Sequence, residues 1–66
     1  MASLTTMIQL VDALIALDDT QGLVDFARTV APTDQQLQLA MDRQQTEINT
    51  KRAFVRGVIA DIARNN

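Results

Sequence analysis

Residues 33–64, TDQQLQLAMDRQQTEINTKRAFVRGVIADIAR, constrain what this chain can become more than any other stretch. Their apolar positions keep one phase: Leu37, Met41, Ile48, Val55, then Val58 or Ile59, then Ile62. Taken through Val58 the steps are 4, 7, 7, 3 and 4 residues. Such steps hold every member on one side of a helix with about 3.6 residues per turn. The phase is the same before and after Asn49-Thr50, the one place where a break is conceivable. A loop there would reset it, so the spacing predicts one long amphipathic helix over 34–64. Two positions of its seam, Gln44 and Lys51, are polar. Thr33-Asp34-Gln35-Gln36 has the form of a capping box, with Thr33 at the N-cap, Gln36 three residues on, and Asp34 near the positive helix end.

Upstream, two shorter helices are expected. The first covers about 4–17, with Ser3 or Thr5 as N-cap and a main stripe of Leu4, Met7, Ile8, Val11, Leu14 and Ile15. Leu10 and Leu17 overflow that stripe, so the apolar arc spans roughly half the circumference, more than the ~100° one core contact requires. Asp18-Asp19-Thr20 reads as the end of this helix and the cap of the next, about 21–30. There Leu23, Phe26, Ala27 and Val30 form a one-sided stripe, Gly22 falls in the first turn, and Pro32 stops the helix.

Sixty-six residues make one small domain. A chain of that size buries only about 60% of its unfolded surface and usually needs a staple. With neither cysteine nor histidine, disulfides and ordinary zinc ligation are excluded, which leaves a second chain as the supplement. Hydrophobic residues make up 47%, too many for a disordered chain, and strand-like alternation is missing. The expected fold is therefore all-α: a subunit of helical-hairpin type, two short helices and one long, assembling as a helical-bundle homodimer. The expected dimer seam is Leu10, Leu14, Leu17, Leu37, Met41, Ile48, Val55, Val58 and Ile62, with Gln44 and Lys51 setting register as polar seam residues do in coiled coils. The apolar N-terminal run has no basic residue before it, contains Asp12, and is too short to span a bilayer, so a cytoplasmic protein without a membrane partner is expected.

Catalysis has almost no candidates. Without His or Cys the usual bases and nucleophile pairs are missing, and no phosphate loop, dinucleotide fingerprint or calcium loop occurs. The expectation is a non-enzyme with no catalytic, cofactor or metal residues, acting as a protein–protein interaction module: an adaptor, inhibitor or regulator that occupies a larger protein. Phe54 stands off the main stripe, and an aromatic inside an arginine-containing rim is what a partner surface presents. Phe54, Arg52 and Arg56 are thus the partner-binding candidates, beside the chain's binding to itself. The alternative is a small DNA-binding regulator, using Lys51, Arg52 and Arg56 or the 20–48 segment, which resembles a helix-turn-helix. Proline in the turn and Asp34 opening the would-be recognition helix oppose it, since a negative charge would meet the phosphates. The charge is polarised: residues 1–34 balance to −4 and residues 35–66 to +2, a pattern that can pair segment with segment or chain with chain.

Overall fold

The structure, a computed structural model, describes residues 4–65 and is all-α: helix α1 (Leu4–Val30), a short turn, and helix α2 (Gln35–Arg64). The two helices pack against each other as an antiparallel hairpin whose Cα atoms extend over 49 × 15 × 10 Å. Pro32 sets the turn, because it has no N–H to continue α1 and disfavours helical geometry in the residue before it. The Asp34 N–H then closes onto the Ala31 carbonyl at 3.2 Å.

The start of α2 lies one residue later than the capping-box reading places it. Asp34, not Thr33, is the N-cap, with extended backbone angles (φ −80°, ψ 103°), and its carboxylate accepts from the Leu37 N–H at 3.0 Å. Leu37 rather than Gln36 is therefore the third residue of the helix. A carboxylate in this place satisfies a free amide and also faces the positive end of the helix. The end of α1 is closed by Gln38, whose amide donates to the Ala31 carbonyl at 3.2 Å while its oxygen accepts from Arg28 Nη1 at 3.1 Å.

The boundary expected at Asp18-Asp19-Thr20 is absent, and what was read as two short helices is one helix of 27 residues. Thr20 caps nothing; its hydroxyl donates to the Ala16 carbonyl at 3.0 Å within the helix. Thr5 likewise lies inside α1, and Ser3 falls outside the described residues. The physical reason is a contest of small and large terms. A capping side chain contributes only about 1 kcal/mol, and neither glycine nor proline forces a stop between Leu17 and Gln21. Leu14, Leu17, Gln21 and Val24 stay in one phase across the site, so an unbroken helix keeps both halves packed on α2.

Continuity moves Gly22 from a helix start to a helix interior, where glycine costs most. A Cβ at Gly22 would meet nothing within 4 Å, and the same holds at Gly57. Gly22→Ala and Gly57→Ala should each raise stability by about 0.5–1 kcal/mol. Chemical denaturation checks this, and a loss at Gly22 would mean that α1 ends near Asp19 after all.

A seam of residues screened from water recurs at alternating steps of three and four: Met7, Leu10, Leu14, Leu17, Gln21, Val24 and Arg28 on α1, and Gln38, Met41, Gln45, Ile48, Arg52, Val55, Ile59 and Ile62 on α2. Ala13, Ala27, Leu37 and Val58, each just before a seam position, are half-buried beside it. This is heptad spacing, so the hairpin is a short antiparallel coiled coil within one chain. Val24, toward the turn end of α1, and Ile48, near the middle of α2, are 4% and 3% exposed and are the two buried hydrophobic residues among the described residues.

Polar pairs interrupt the seam. The amides of Gln21 and Gln45 donate to each other's oxygens at 2.5 and 2.6 Å, and Asp25 and Asn49 extend the pair at either end. The inward polar positions on α2 are thus Gln45 and Arg52, while Gln44 and Lys51 are exposed. A seven-residue step such as Met41 to Ile48 can be divided as three-then-four or four-then-three. Gln21 and Asp18 on α1 select the second, because they are the groups that Gln45 and Arg52 reach. Replacing Gln21 alone with Leu should cost about 1–2 kcal/mol, since Gln45 is left half-buried and underbonded. The double change Gln21→Leu/Gln45→Leu should recover that loss or exceed it, at the expense of register. A double-mutant cycle by urea denaturation decides; strict additivity would show that the amides do not act as a pair.

Candidate interaction surfaces

Because the helices are antiparallel, residues just after each seam position emerge on one face of the hairpin, and residues just before it emerge on the other. The hydrogen bonds agree with this division. Asp18 and Asp42, each just after a seam position, take the inward arginines Arg52 (3.4 Å) and Arg28 (2.7 Å) on the first face.

The opposite face carries an apolar groove of about 500 Å³ between the helices. Ala13, Ala16 and Thr20 of α1 form one wall, Thr50, Lys51 and Phe54 of α2 the other, with the seam residues Leu17 and Val55 also lining it. The groove exists because α1 contributes small side chains there, which leaves room beside Phe54. That ring is 70% exposed, on a wall rather than in the core.

The first face bears a stripe of large aliphatic side chains on α1: Leu4, Ile8, Val11 and Ile15, between 46% and 76% exposed. At the same end of the hairpin, α2 presents Ala53, Arg56, Ala60 and Ala63, all exposed. The helix-one expectation is thereby inverted. Leu10 and Leu17, expected to overflow, turn toward α2, and most of the expected main stripe is left outside. The expected stripe on 21–30 is inverted too, with Leu23, Phe26 and Val30 exposed and Val24 buried. The missed residue was legible only in the phase that runs on from Leu17 through Gln21 to Val24, and an inward glutamine hid it.

The nine residues expected at a dimer seam, Leu10, Leu14, Leu17, Leu37, Met41, Ile48, Val55, Val58 and Ile62, are all partly or fully screened within a single chain. The three partner-binding candidates are not brought together. Phe54 lines the groove, Arg52 turns inward to Asp18, and Arg56 emerges on the stripe face. The cation beside Phe54 is Lys51. The basic cluster read along the sequence is therefore dispersed around the helix, Lys51 and Arg56 being about 140° apart at 100° per residue. The 20–48 segment is the closed end of the hairpin, made of the last part of α1, the turn and the first part of α2.

Among the described residues, no helix is long and apolar enough to cross a membrane. The class that fold and surface define is a minimal helical hairpin with apolar faces unpartnered within the chain. Comparison with protein-family models, curated proteins and solved structures finds no match for the chain.

Proposed function

We propose that this protein is a non-enzymatic interaction module of the cytoplasm that forms a homodimer and acts by binding a larger protein, as an adaptor, inhibitor or regulator. The observation that carries the reading is the surplus of apolar surface. Among the described residues nine large hydrophobic side chains are exposed, against two buried. Scattered exposed apolar residues are ordinary, but here four of them form the stripe and Phe54 lines the groove, and contiguous apolar patches mark contact surfaces.

The groove is the seat proposed for the other protein. It joins an exposed aromatic to a small-residue wall, with Lys51 as a charged rim, the arrangement of an interface anchor and its pocket. Phe54→Ala should leave helicity and self-association unchanged while weakening partner binding by about 2 kcal/mol or more, roughly thirtyfold. Titration of the wild-type partner, isolated from the native host, checks this alongside sedimentation of the variant. If the variant dissociates or unfolds, Phe54 belongs to the dimer contact. If it binds normally, the partner seat is elsewhere. Retention on DNA that falls steeply with salt would instead favour the nucleic-acid reading.

A further inference from the structure

We infer that the stripe face seats the second copy, and that the two-fold axis runs parallel to the helices, so that α1 of each chain lies across α2 of the other. The inference rests on the homodimer reading and adds to it the surface, the orientation and the mate of each side chain.

Shape argues for this arrangement. The stripe face is bulky on one helix and mostly small on the other: Leu4, Ile8, Val11 and Ile15 on α1, and Ala53, Ala60 and Ala63 with Arg56 on α2. The cross-helix pairs Gln21–Gln45, Arg28–Gln38, Arg28–Asp42 and Asp18–Arg52 bracket the residues that share a height to within a few positions. The middle of that range sets Ile15 level with Ala53, Ile8 with Ala60, and Leu4 near Ala63. An axis parallel to the helices preserves height and exchanges the two sides. Ile8 then meets the partner's Ala60 and Ile15 the partner's Ala53, while Val11 lies beside the partner's Arg56, whose aliphatic stem can cover it. An isologous contact needs such self-complementarity, and here bulge and hollow lie on the same patch.

An axis perpendicular to the helices would lay α1 on the partner's α1, placing bulk on bulk. The parallel axis instead lays the aliphatic stripe on the alanines. The charged residues of this face are Asp18 and Asp25 of α1 and Asp42 and Arg56 of α2, with Asp18 and Asp42 held by Arg52 and Arg28 within the chain. The parallel axis sets Asp25 near the height of the partner's Asp42, so the tight contact is confined to the open half. The Phe54 groove is left facing outward on both sides of the resulting four-helix bundle.

The orientation is read from one label. The chain has no cysteine, so Thr33→Cys in the exposed turn takes a single spin label on the full chain. Turns at the same end of a bundle, with helices about 8–10 Å apart, should give a dipolar distance of roughly 15–30 Å once label arms are added. A distance of about 49 Å, the hairpin's length, or beyond would place the turns at opposite ends. That result overturns the axis while leaving a homodimer. A monomer by sedimentation overturns both. The face is tested by Ala60→Arg, which sets a charge against the partner's Ile8 and should raise the dimer dissociation constant roughly tenfold or more. Unchanged dimerisation of that variant would overturn the stripe face whatever the label distance.

Discussion

Ile48→Ala is expected to cost about 2–5 kcal/mol, enough to leave much of the chain unfolded at 37 °C. The size of the effect follows from how little else is buried. Ile48 and Val24 are the two buried hydrophobic residues among the described residues, and Ile48 sits near the middle of α2. Removing three carbons there takes away their transfer energy and opens a void that two stiff helices cannot collapse around. The neighbouring polar layer compounds the loss, since the Gln21–Gln45 amides hold their geometry against that apolar support. Urea denaturation at fixed protein concentration measures the change, with Ile59→Ala as the half-buried comparison expected to cost less. A loss at Ile48 below about 1 kcal/mol would mean that the centre of stability lies in another contact.

The thermal midpoint is expected to rise by on the order of 10 °C over a hundredfold increase in protein concentration. Association favours the folded dimer by RT ln of the concentration ratio, about 2.7 kcal/mol for a factor of 100. Unfolding two chains of this length carries an entropy near 0.28 kcal/mol per kelvin at about 2.1 cal/mol/K per residue, and the quotient is the shift. Circular dichroism melts across that concentration range read it directly. A midpoint independent of concentration, in a chain that sediments as a monomer, would remove the homodimer from the proposed function and leave the hairpin to cover its apolar faces with another protein.

Much of the hairpin was legible along the chain. The single phase of Leu37, Met41, Ile48, Val55 and Ile62 specified α2 through Asn49-Thr50, and Pro32 marked the turn, because both effects act within a few residues of themselves. The continuity of α1 was harder to read. Asp18-Asp19-Thr20 has the local chemistry of a helix boundary, and local chemistry is a weak term of about 1 kcal/mol beside packing along a whole helix. Phe54 as an exposed aromatic could be read from its displacement off the stripe, whereas Lys51 rather than Arg52 as its neighbour could not.

Periodicity in one helix defines an apolar arc but not the direction in which the arc is spent. On α1 that arc is so wide that Leu4, Ile8, Val11 and Ile15 compete on equal terms with Met7, Leu10, Leu14 and Leu17 for the inner side. The same ambiguity separates Gln44 from Gln45 and Lys51 from Arg52, each pair about 100° apart on the wheel. The sequence carries the two helices, the turn and the excess of apolar surface, since these depend on spacing and on proline alone. Which half of that surface becomes core waits for the second helix. Only with α2 alongside does Gln45 find Gln21, Arg52 find Asp18 and Arg28 find Asp42, and those partners rotate each helix by the one residue that turns Val24 inward and leaves Phe26 in water.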